Sequence, residues 1–280
     1  MIYTIQNDRI AVSVKSLGAE LSSIFKKANN TEYLWQGDPN VWSGQSPILF
    51  PIIGKLLDDK FTYDGKTYTM EKHGFARHNE FSLVDKFEDN VTFLLESNAR
   101  TKETFPFDFG LYVIYAIKGS SVKVSHIVEN IGTDKMYFSI GAHPGFACEM
   151  GDTLEFEKNE VAVSKFLDET GIICDKAEKI LNDDNKIVIT ETVFDGDALI
   201  FESLKSDFVM LKTARGNVKM TFGGAPYLGI WAKPAAPYVC IEPWFGVNDS
   251  YEHYGEIANK PGIVGLEAGN EFTFEYEIEV

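Results

Sequence analysis

The chain has 280 residues, of which 44% are apolar and 24% are charged, a composition typical of globular proteins and unlike that of disordered ones. The 42 acidic side chains outnumber the 26 basic ones, so the formal net charge is −16 at pH 7. A surface of that sign repels phosphate backbones and anionic lipids, which argues against nucleic acid or a membrane as the principal partner.

The cysteines and the N-terminal residues bear on the compartment of the protein. Three cysteines (Cys148, Cys174 and Cys240) are too few and too scattered for a disulfide framework or a Cys-x-x-Cys metal site, so we expect inert thiols. The N-terminal residues 1–8 carry no basic cluster and no long apolar run, so we expect no signal peptide. No stretch approaches the roughly 20 apolar residues of a membrane span. The sequence therefore predicts a soluble, cytoplasmic protein.

Apolar residues alternate with polar ones along most of the chain, which predicts β-strands rather than helices. The first clear alternation covers residues 9–14, and the last covers residues 272–278. Between them, pairs of strand-like runs flank short polar or glycine-containing turns, the pattern of β-hairpins. The predicted hairpins cover residues 61–68, 81–95, 112–128 and 208–222.

Helical patterns are scarce, because only residues 164–170 and 250–259 could form a helical turn or two. Many short strands at regular spacing predict a β-sandwich or a β-barrel. No linker, low-complexity tract or internal repeat divides the chain, and a single all-β domain can reach this length. We therefore predict one domain, residues 1–280, built of packed antiparallel sheets.

Histidine is the side chain best suited to proton transfer near neutral pH, and the chain has five. His73 and His143 each end a strand-like run and are followed closely by glycine and phenylalanine. Glycine at such a place permits a turn and the close approach of a ligand. His126 shares a face with neighbouring valines, which predicts a core histidine, and His253 lies in a predicted surface segment.

Known cofactor motifs are absent from the sequence. A metal site could be assembled from His73, His78 and His143, but residues five apart face opposite sides of an uninterrupted strand. The chain has no His-x-His or His-Glu-x-x-His pattern, no phosphate-binding loop and no dinucleotide-binding glycine motif. A Gly-x-Ser-x-Gly nucleophile elbow is also missing. We therefore predict neither a metal nor an organic cofactor.

Two acidic residues stand next to apolar runs. Glu242 follows the apolar residues 238–241 and precedes a proline. A carboxylate at the end of a buried strand is costly unless it is paired or functional. Asp197, just before the apolar residues 198–201, has a milder version of the same setting.

Five segments, in this order along nearly the whole chain, resemble the aldose 1-epimerase (mutarotase) family. The likeness is greatest to its LacX-like branch, which is related to the hexose-6-phosphate 1-epimerases. The segments are residues 46–55, 73–77, 141–146, 197–201 and 240–244. The resemblance implies an all-β fold, a large antiparallel β-sandwich of the galactose mutarotase-like supersandwich type. That expectation agrees with the strand pattern.

The same resemblance implies roles for individual residues. Glu242 matches the general base that takes the proton from the C1 hydroxyl of the sugar. His143 matches the general acid that protonates the ring oxygen. His73 matches a second histidine that assists at the ring oxygen or holds the substrate. Asp197 matches a carboxylate that accepts hydrogen bonds from sugar hydroxyls.

Two basic residues are further candidates for substrate binding. Lys55 stands where the family usually has arginine, and lysine offers a mobile point charge instead of a planar fork. Arg77 matches an arginine that looks like a phosphate contact in the sugar-phosphate epimerases. A structural ion pair is the alternative reading of Arg77.

The activity that the resemblance implies is interconversion of the α and β anomers of a hexose or hexose phosphate, without a cofactor. A non-catalytic sugar-binding sandwich is one alternative, motivated by the lysine at position 55. A glycosidase or lyase that uses Glu242 and Asp197 as a carboxylate pair is another. The two motif histidines favour the epimerase. No cue in the sequence separates a monomer from a dimer.

Overall fold

The computed structural model of the chain describes residues 1–252 and 255–280. Strands dominate it. The strands of the N-terminal half are β1 (Ile2–Gln6), β2 (Ile10–Lys15), β3 (Leu21–Lys26), β4 (Thr31–Glu32), β5 (Ile48–Leu49), β6 (Lys60–Tyr63), β7 (Lys66–Thr69), β8 (Ser82–Lys86), β9 (Asn90–Glu96), β10 (Phe109–Lys118) and β11 (Ser121–Asn130). Those of the C-terminal half are β12 (Met136–Phe138), β13 (Ile140–Ala142), β14 (Gly145–Ala147), β15 (Thr153–Leu167), β16 (Ile173–Val188), β17 (Leu199–Glu202), β18 (Phe208–Thr213), β19 (Gly216–Thr221), β20 (Tyr227–Trp231), β21 (Tyr238–Phe245), β22 (Val264–Leu266) and β23 (Glu271–Glu279).

A 15-stranded antiparallel sheet forms most of the molecule. Its strand order is β5-β13-β21-β20-β17-β15-β18-β19-β23-β11-β10-β9-β8, with β14 paired to β21 and β16 paired to β15. A second sheet has the order β1-β2-β3-β4, and two smaller sheets pair β6 with β7 and β12 with β22. The prediction of an all-β, antiparallel fold is confirmed.

All four predicted hairpins are present. They are the pairs β6–β7, β8–β9, β10–β11 and β18–β19. The turn between β6 and β7 is Asp64–Gly65, with φ of 50° and 68°. Positive φ at both central residues matches the right-handed twist of the flanking strands, which is why an Asp-Gly pair predicts a hairpin.

Of the two predicted helical segments, only one contains a helical turn. Residues 164–170 do not form a helical turn, because they belong to the end of β15 and to the turn after it. Residues 250–259 contain a 3-10 turn at Ile257–Asn259. His253, for which the sequence predicts a surface position, lies outside the described residues. Two other 3-10 turns cover Leu57–Asp59 and Ala76–His78.

One short α-helix, α1 (Ala99–Thr104), was not predicted. The Asn98 side chain accepts hydrogen bonds from the N–H groups of Arg100 and Thr101, and the Thr101 hydroxyl accepts one from the Asn98 N–H. This reciprocal capping explains why so short a helix forms. Six residues are too few to show a helical period, so the Asn-x-x-Thr spacing is its only signal in the sequence. No helix in the described part of the chain has the length and apolar character needed to cross a lipid bilayer.

The hydrophobic core joins the two largest sheets. Alternate residues of β2 are buried, and they belong to the same cluster as the inward-facing residues of β10, β11 and β23. The Tyr115 hydroxyl on β10 donates a 2.7 Å hydrogen bond to the carbonyl oxygen of Ala19, between β2 and β3. A group of phenylalanines packs at one end of this core: Phe50, Phe75, Phe105, Phe109 and Phe138.

The long hairpin of β15 and β16 carries an unusual edge. In the described part of the chain, β16 is paired by β15 along one edge, and its other edge has a single parallel bridge, between Ile173 and Ser250. Its exposed positions carry seven charged side chains: Asp175, Lys176, Glu178, Lys179, Asp183, Asp184 and Lys186. The turn that joins the two strands, residues 168–171, reaches the candidate site described below.

His126 is a core residue, as predicted. Its side chain is fully buried (0% exposed) and stacks on Phe274, with ring centroids 5.5 Å apart and planes 12° from parallel. Neither ring nitrogen has a hydrogen-bond partner among the described residues. Burial lowers the pKa of His126 to about 3, because no neighbour compensates for the loss of water around a charged ring.

The burial of His126 predicts that the free energy of unfolding falls on acidification, and His126→Phe should remove this loss. The unfolded imidazole gains a proton below about pH 6.5, while the folded one stays neutral to about pH 3, so acidification through that window favours unfolding. Between pH 7 and pH 5 the wild type should lose about 2 kcal/mol more unfolding free energy than His126→Phe, at about 1.4 kcal/mol per unit below the unfolded pKa. Urea unfolding at the two pH values measures the difference. His78→Gln, at an exposed imidazole, is the control, and equal losses in wild type and His126→Phe would contradict the prediction.

Candidate active site

Five of the six predicted site residues line one small cavity of about 190 Å³. They are His73, Arg77, His143, Asp197 and Glu242. Lys55, the sixth, lines a larger outer cleft of about 1090 Å³. The two spaces share Lys72, Leu167 and Asp197 in their walls, so the small cavity opens into the cleft. The structure thus brings together residues from four distant segments of the sequence.

Glu242 lies on β21, in the interior of the large sheet. Its register partner on β20 is Gly229, and its side chain is 1% exposed. Nearly every residue of β21 is buried, because the strand has neighbours on both edges and is covered on both faces. The apolar run 238–241 in the sequence reflects this position, and the glutamate interrupts it at the cavity.

His143 is held opposite Glu242 by two short strands. β13 and β14 both pair with β21, through Gly141↔Trp244 and Gly145↔Cys240, and His143 lies in the connection between them. The imidazole Nε2 is 3.2 Å from Oε2 of Glu242. Gly145 must remain small, since a Cβ atom there would lie 2.8 Å from the Trp42 ring. The glycines flanking this histidine in the sequence therefore serve close packing around it.

His73 occupies a strained backbone position with a defined tautomer. Its φ of +66° lies in the left-handed region, which costs a residue other than glycine about 1 kcal/mol or more. Two hydrogen bonds to Gly54 hold it there: the His73 N–H donates to the Gly54 carbonyl (2.8 Å), and the Gly54 N–H donates to Nδ1 of the ring (3.1 Å). Because Nδ1 accepts, the proton of the neutral ring resides on Nε2. The ring meets that of His143 edge to face, with centroids 5.8 Å apart.

Trp42 was missed by the sequence analysis. Its indole stacks on the His143 imidazole, with centroids 5.2 Å apart and planes 29° from parallel, and it lines the cavity. Trp35 fixes the loop by donating from Nε1 to the Trp42 carbonyl (2.8 Å). Two further tryptophans, Trp231 and Trp244, also line the small cavity, whereas Phe75 lines the outer cleft.

Burial works against charge on both members of the Glu242–His143 pair. It raises the pKa of Glu242 well above its usual range, and the Asp197 carboxylate adds to this effect, while Lys72 opposes it. Burial lowers the pKa of His143 to about 3, and the positive charges of Lys72 and Arg77 act in the same direction. A pair so close together is best described by the protons it holds in common, and both directions favour a carboxylic acid beside a neutral imidazole over an ion pair.

His73 is also held neutral. Burial lowers its pKa well below 6.5, and the nearby His143, Lys72 and Arg77 act in the same direction. Since Nδ1 already accepts a hydrogen bond, the neutral ring presents only a donor, Nε2–H, to a ligand.

Lys72 is the second residue that the sequence analysis did not assign to the site. Its side chain is exposed and lies in the walls of both cavities. Its charge favours the Glu242 carboxylate and disfavours protonation of both imidazoles. Adjacency to His73 is the only signal of this role in the sequence.

The two basic candidates differ in position. Arg77 donates from Nη2 to the Lys72 carbonyl (2.7 Å), and its buried Nε has no hydrogen-bond partner in the part of the chain that the structure describes. The Arg77 side chain also lines the small cavity. Lys55 points along the outer cleft, where Nζ lies 3.8 Å from Oδ1 of Asp59.

Asp197 stands between the two cavities. Its φ of +69° is again left-handed, and its N–H donates to the Phe194 carbonyl (3.1 Å). Asn248 also lines the small cavity, and its amide donates to the Gly171 carbonyl (2.9 Å), which ties the wall to the turn after β15. Polar side chains from several loops therefore converge on the entrance.

The possible metal ligands differ from those considered in the sequence. His78 is exposed on the outer cleft. Instead, one ligand atom each from His143, Cys240 and Glu242 lies within 4.8 Å of the other two.

Lys72→Met should raise the pKa of Glu242 and of both imidazoles, because it removes a positive charge that stabilises the carboxylate and destabilises the imidazolium. NMR signals of His73 and His143, followed on acidification, should begin to shift at a higher pH than in the wild type. Lys55→Met is the control, because that lysine lies on the outer cleft. Added salt should weaken the difference, since Lys72 is exposed. Unchanged titration of both histidines would contradict this account of the site.

Comparison with known proteins shows which family the chain resembles. Residues 1–252 match the sequence profile of the family described as Aldose 1-epimerase. The LacX proteins of Lactococcus lactis subsp. lactis, plasmid and chromosomal, are 33% identical over 281 residues, covering 94% of this chain and 94% of theirs. A galactose mutarotase related enzyme from Lactobacillus acidophilus superimposes with a TM-score of 0.94 at 31% identity, covering 100% of this chain and 97% of that one. A galactose mutarotase-like protein from Lactobacillus casei ATCC 334 gives a TM-score of 0.94 at 30% identity, covering 100% and 99%. The chain therefore belongs to the aldose 1-epimerase family.

Proposed function

We propose that the protein is an aldose 1-epimerase that interconverts the α and β anomers of a hexose or hexose phosphate. The observation that carries the proposal is the buried contact of 3.2 Å between His143 Nε2 and Glu242 Oε2 in the wall of a small cavity. Anomer exchange needs a base and an acid within reach of neighbouring oxygens of one sugar ring. Family membership supports the same reaction.

Ring opening moves two protons and breaks one bond. Glu242 takes the proton from the C1 hydroxyl while His143 gives a proton to the ring oxygen. The C1–O5 bond breaks as the C1=O1 double bond forms, which leaves an open-chain aldehyde. After rotation about C1–C2, the reverse transfers close the ring on the other face of the carbonyl.

The pair carries one proton before and after each step. It begins as carboxylate and imidazolium and ends as carboxylic acid and neutral imidazole, so no proton needs to come from solvent. Burial of both groups disfavours the charged form, which raises the energy of the starting state relative to the product state. Each member of such a pair contributes a rate factor of about 10²–10⁴.

The remaining residues of the cavity hold the substrate. His73 donates from Nε2–H to the ring oxygen or to a hydroxyl, because its Nδ1 is occupied by Gly54. The Asp197 carboxylate accepts hydrogen bonds from hydroxyls at the mouth of the cavity. Trp231 offers an apolar face to the C–H side of a pyranose.

Two arguments favour catalysis over sugar binding alone. Lys55, whose departure from the family pattern motivates the binding alternative, lies outside the small cavity and away from the acid–base pair. A buried carboxylate next to a buried imidazole is costly to maintain, and a site that only binds neutral hydroxyls does not need it.

Glu242→Gln and His143→Asn should each slow anomer exchange by about 10²–10⁴-fold, because each removes one proton-transfer group. NMR exchange spectroscopy on a panel of aldoses and their 6-phosphates measures the rates. Glu160→Gln is the matched control, since Glu160 is also buried but accepts its hydrogen bonds from Lys205 and Ser206. Wild-type rates in both site variants, with the fold intact, would exclude this mechanism. Saturable sugar binding without exchange in the wild type would favour the non-catalytic alternative.

Arg77→Met tests whether the substrate is phosphorylated. If the Arg77 guanidinium contacts a phosphate, its removal should lower kcat/KM for a hexose 6-phosphate at least roughly tenfold more than for the free hexose, since hydrogen bonds to charged groups are worth about 1.5–3 kcal/mol. Arg100→Met, at an arginine of the outer cleft, is the control. Equal losses for both substrates would assign Arg77 to sugar hydroxyls or to structure.

A further inference from the structure

Cys240 stands beside the acid–base pair without being needed by it. Cys240 and Glu242 are two residues apart on β21, so their side chains share one face of the strand. His143 faces them from the β13–β14 connection, and the three ligand atoms all lie within 4.8 Å of one another. All three side chains are buried, with relative exposures of 0%, 1% and 8% for Cys240, Glu242 and His143.

We propose that this cluster binds Zn²⁺, and that the bound ion inhibits the enzyme by occupying its acid and base. A thiolate, an imidazole and a carboxylate are all ligands that Zn²⁺ accepts, and three protein ligands leave a fourth position for water or a sugar oxygen. The binding itself rests on the three side chains alone. Only the inhibition rests on the proposed function.

Charge balance favours the ion in this buried place. A thiolate and a carboxylate carry two negative charges, which Zn²⁺ neutralises, and the imidazole adds none. Binding releases the thiol proton and the single proton held by Glu242 and His143. The site then has neither a carboxylate free to accept a proton nor an imidazolium able to give one.

The geometry requires only a small adjustment. Bond lengths of about 2.0–2.3 Å in a tetrahedral site put neighbouring ligand atoms roughly 3.3–3.6 Å apart. The Nε2–Oε2 distance of 3.2 Å is already close to that range, and the Cys240 sulfur lies no more than 4.8 Å from the ligand atoms of the other two residues.

The second ring nitrogen of His143 bears on how tightly the site would hold Zn²⁺. Nδ1 is buried and has no hydrogen-bond partner among the described residues. Histidines in tightly held zinc sites donate from this second nitrogen to a carboxylate or carbonyl, and loss of that partner weakens binding by about 10–100-fold. The site is therefore suited to reversible inhibition and not to a permanently resident metal.

Titration of the intact protein with Co²⁺ tests the binding without reference to activity. Co²⁺ takes the same ligands as Zn²⁺, and a cobalt–thiolate bond absorbs in the near ultraviolet. The wild type should develop this absorption with about one equivalent of Co²⁺, and Zn²⁺ should abolish it. Cys240→Ser should lack the absorption and bind Zn²⁺ at least about tenfold more weakly, as measured by competition with a chelating dye.

Cys148→Ser and Cys174→Ser are the matched controls, because they remove the other two thiols, and both should behave as the wild type. A wild type that shows no cobalt–thiolate absorption, or a signal that survives in Cys240→Ser, would overturn the proposed site. Neither result depends on the folding of a catalytic variant.

Inhibition is measured separately on the same proteins. Zn²⁺ should slow anomer exchange by the wild type, a chelator should restore the rate, and Cys240→Ser should need at least about tenfold more Zn²⁺ for the same inhibition relative to its own metal-free rate. Cobalt binding with unimpaired exchange would overturn the inhibition. A wild type that never exchanges anomers would refute the proposed function while leaving the cobalt result intact.

Discussion

The site depends on the burial of one carboxylate against one imidazole in the interior of a large sheet. Taking Glu242 and His143 out of water costs several kcal/mol for each charged group, and a contact of 3.2 Å recovers part of this only while the geometry is kept. Strand pairing accordingly fixes the backbone that carries each of the two groups. Glu242 sits on a strand with neighbours on both edges, and β13 and β14 pair with that same strand on either side of His143.

Glu242 and His143 are close enough to share one proton, which either group can hold. The carboxylate accepts a proton and the imidazole can donate one across the 3.2 Å contact between Oε2 and Nε2. Lys72 and Arg77 at the cavity oppose protonation of the imidazole, whereas burial opposes ionisation of the carboxylate. Groups that come from different loops therefore decide whether the carboxylate or the imidazole holds the shared proton, and a change in any of these groups shifts the proton between the two.

The fold could be predicted from the sequence, because the two-residue period and the hairpin turns are local properties of the chain. The helix α1 was not predicted, because six residues are too few to show a helical period. The helical turn predicted for residues 164–170 was wrong, because a strand end followed by a polar turn resembles a short helical segment. Five of the six candidate residues line the small cavity, and the sequence could single them out because glycine or proline accompanies most of them and the family resemblance orders them. Lys72 and Trp42 were not found, since a lysine next to a histidine and a tryptophan in a loop gain their meaning only from what they contact. The place of Lys55 in the outer cleft likewise depends on how the loops fold together.

The charged edge strand β16 has a consequence for the solubility of the protein. Sixteen residues of β-strand with an open edge form a template on which another chain could add a strand and begin to aggregate. Seven charged side chains along that strand make such an addition costly, since like charges would meet and charged groups would lose water. At the end of β16 next to the outer cleft, the Ile173 N–H donates to the Asp249 carbonyl (2.8 Å), so the edge that remains open lies farther along the strand. The charged side chains of β16 therefore guard the part of the edge that the rest of the chain does not cover.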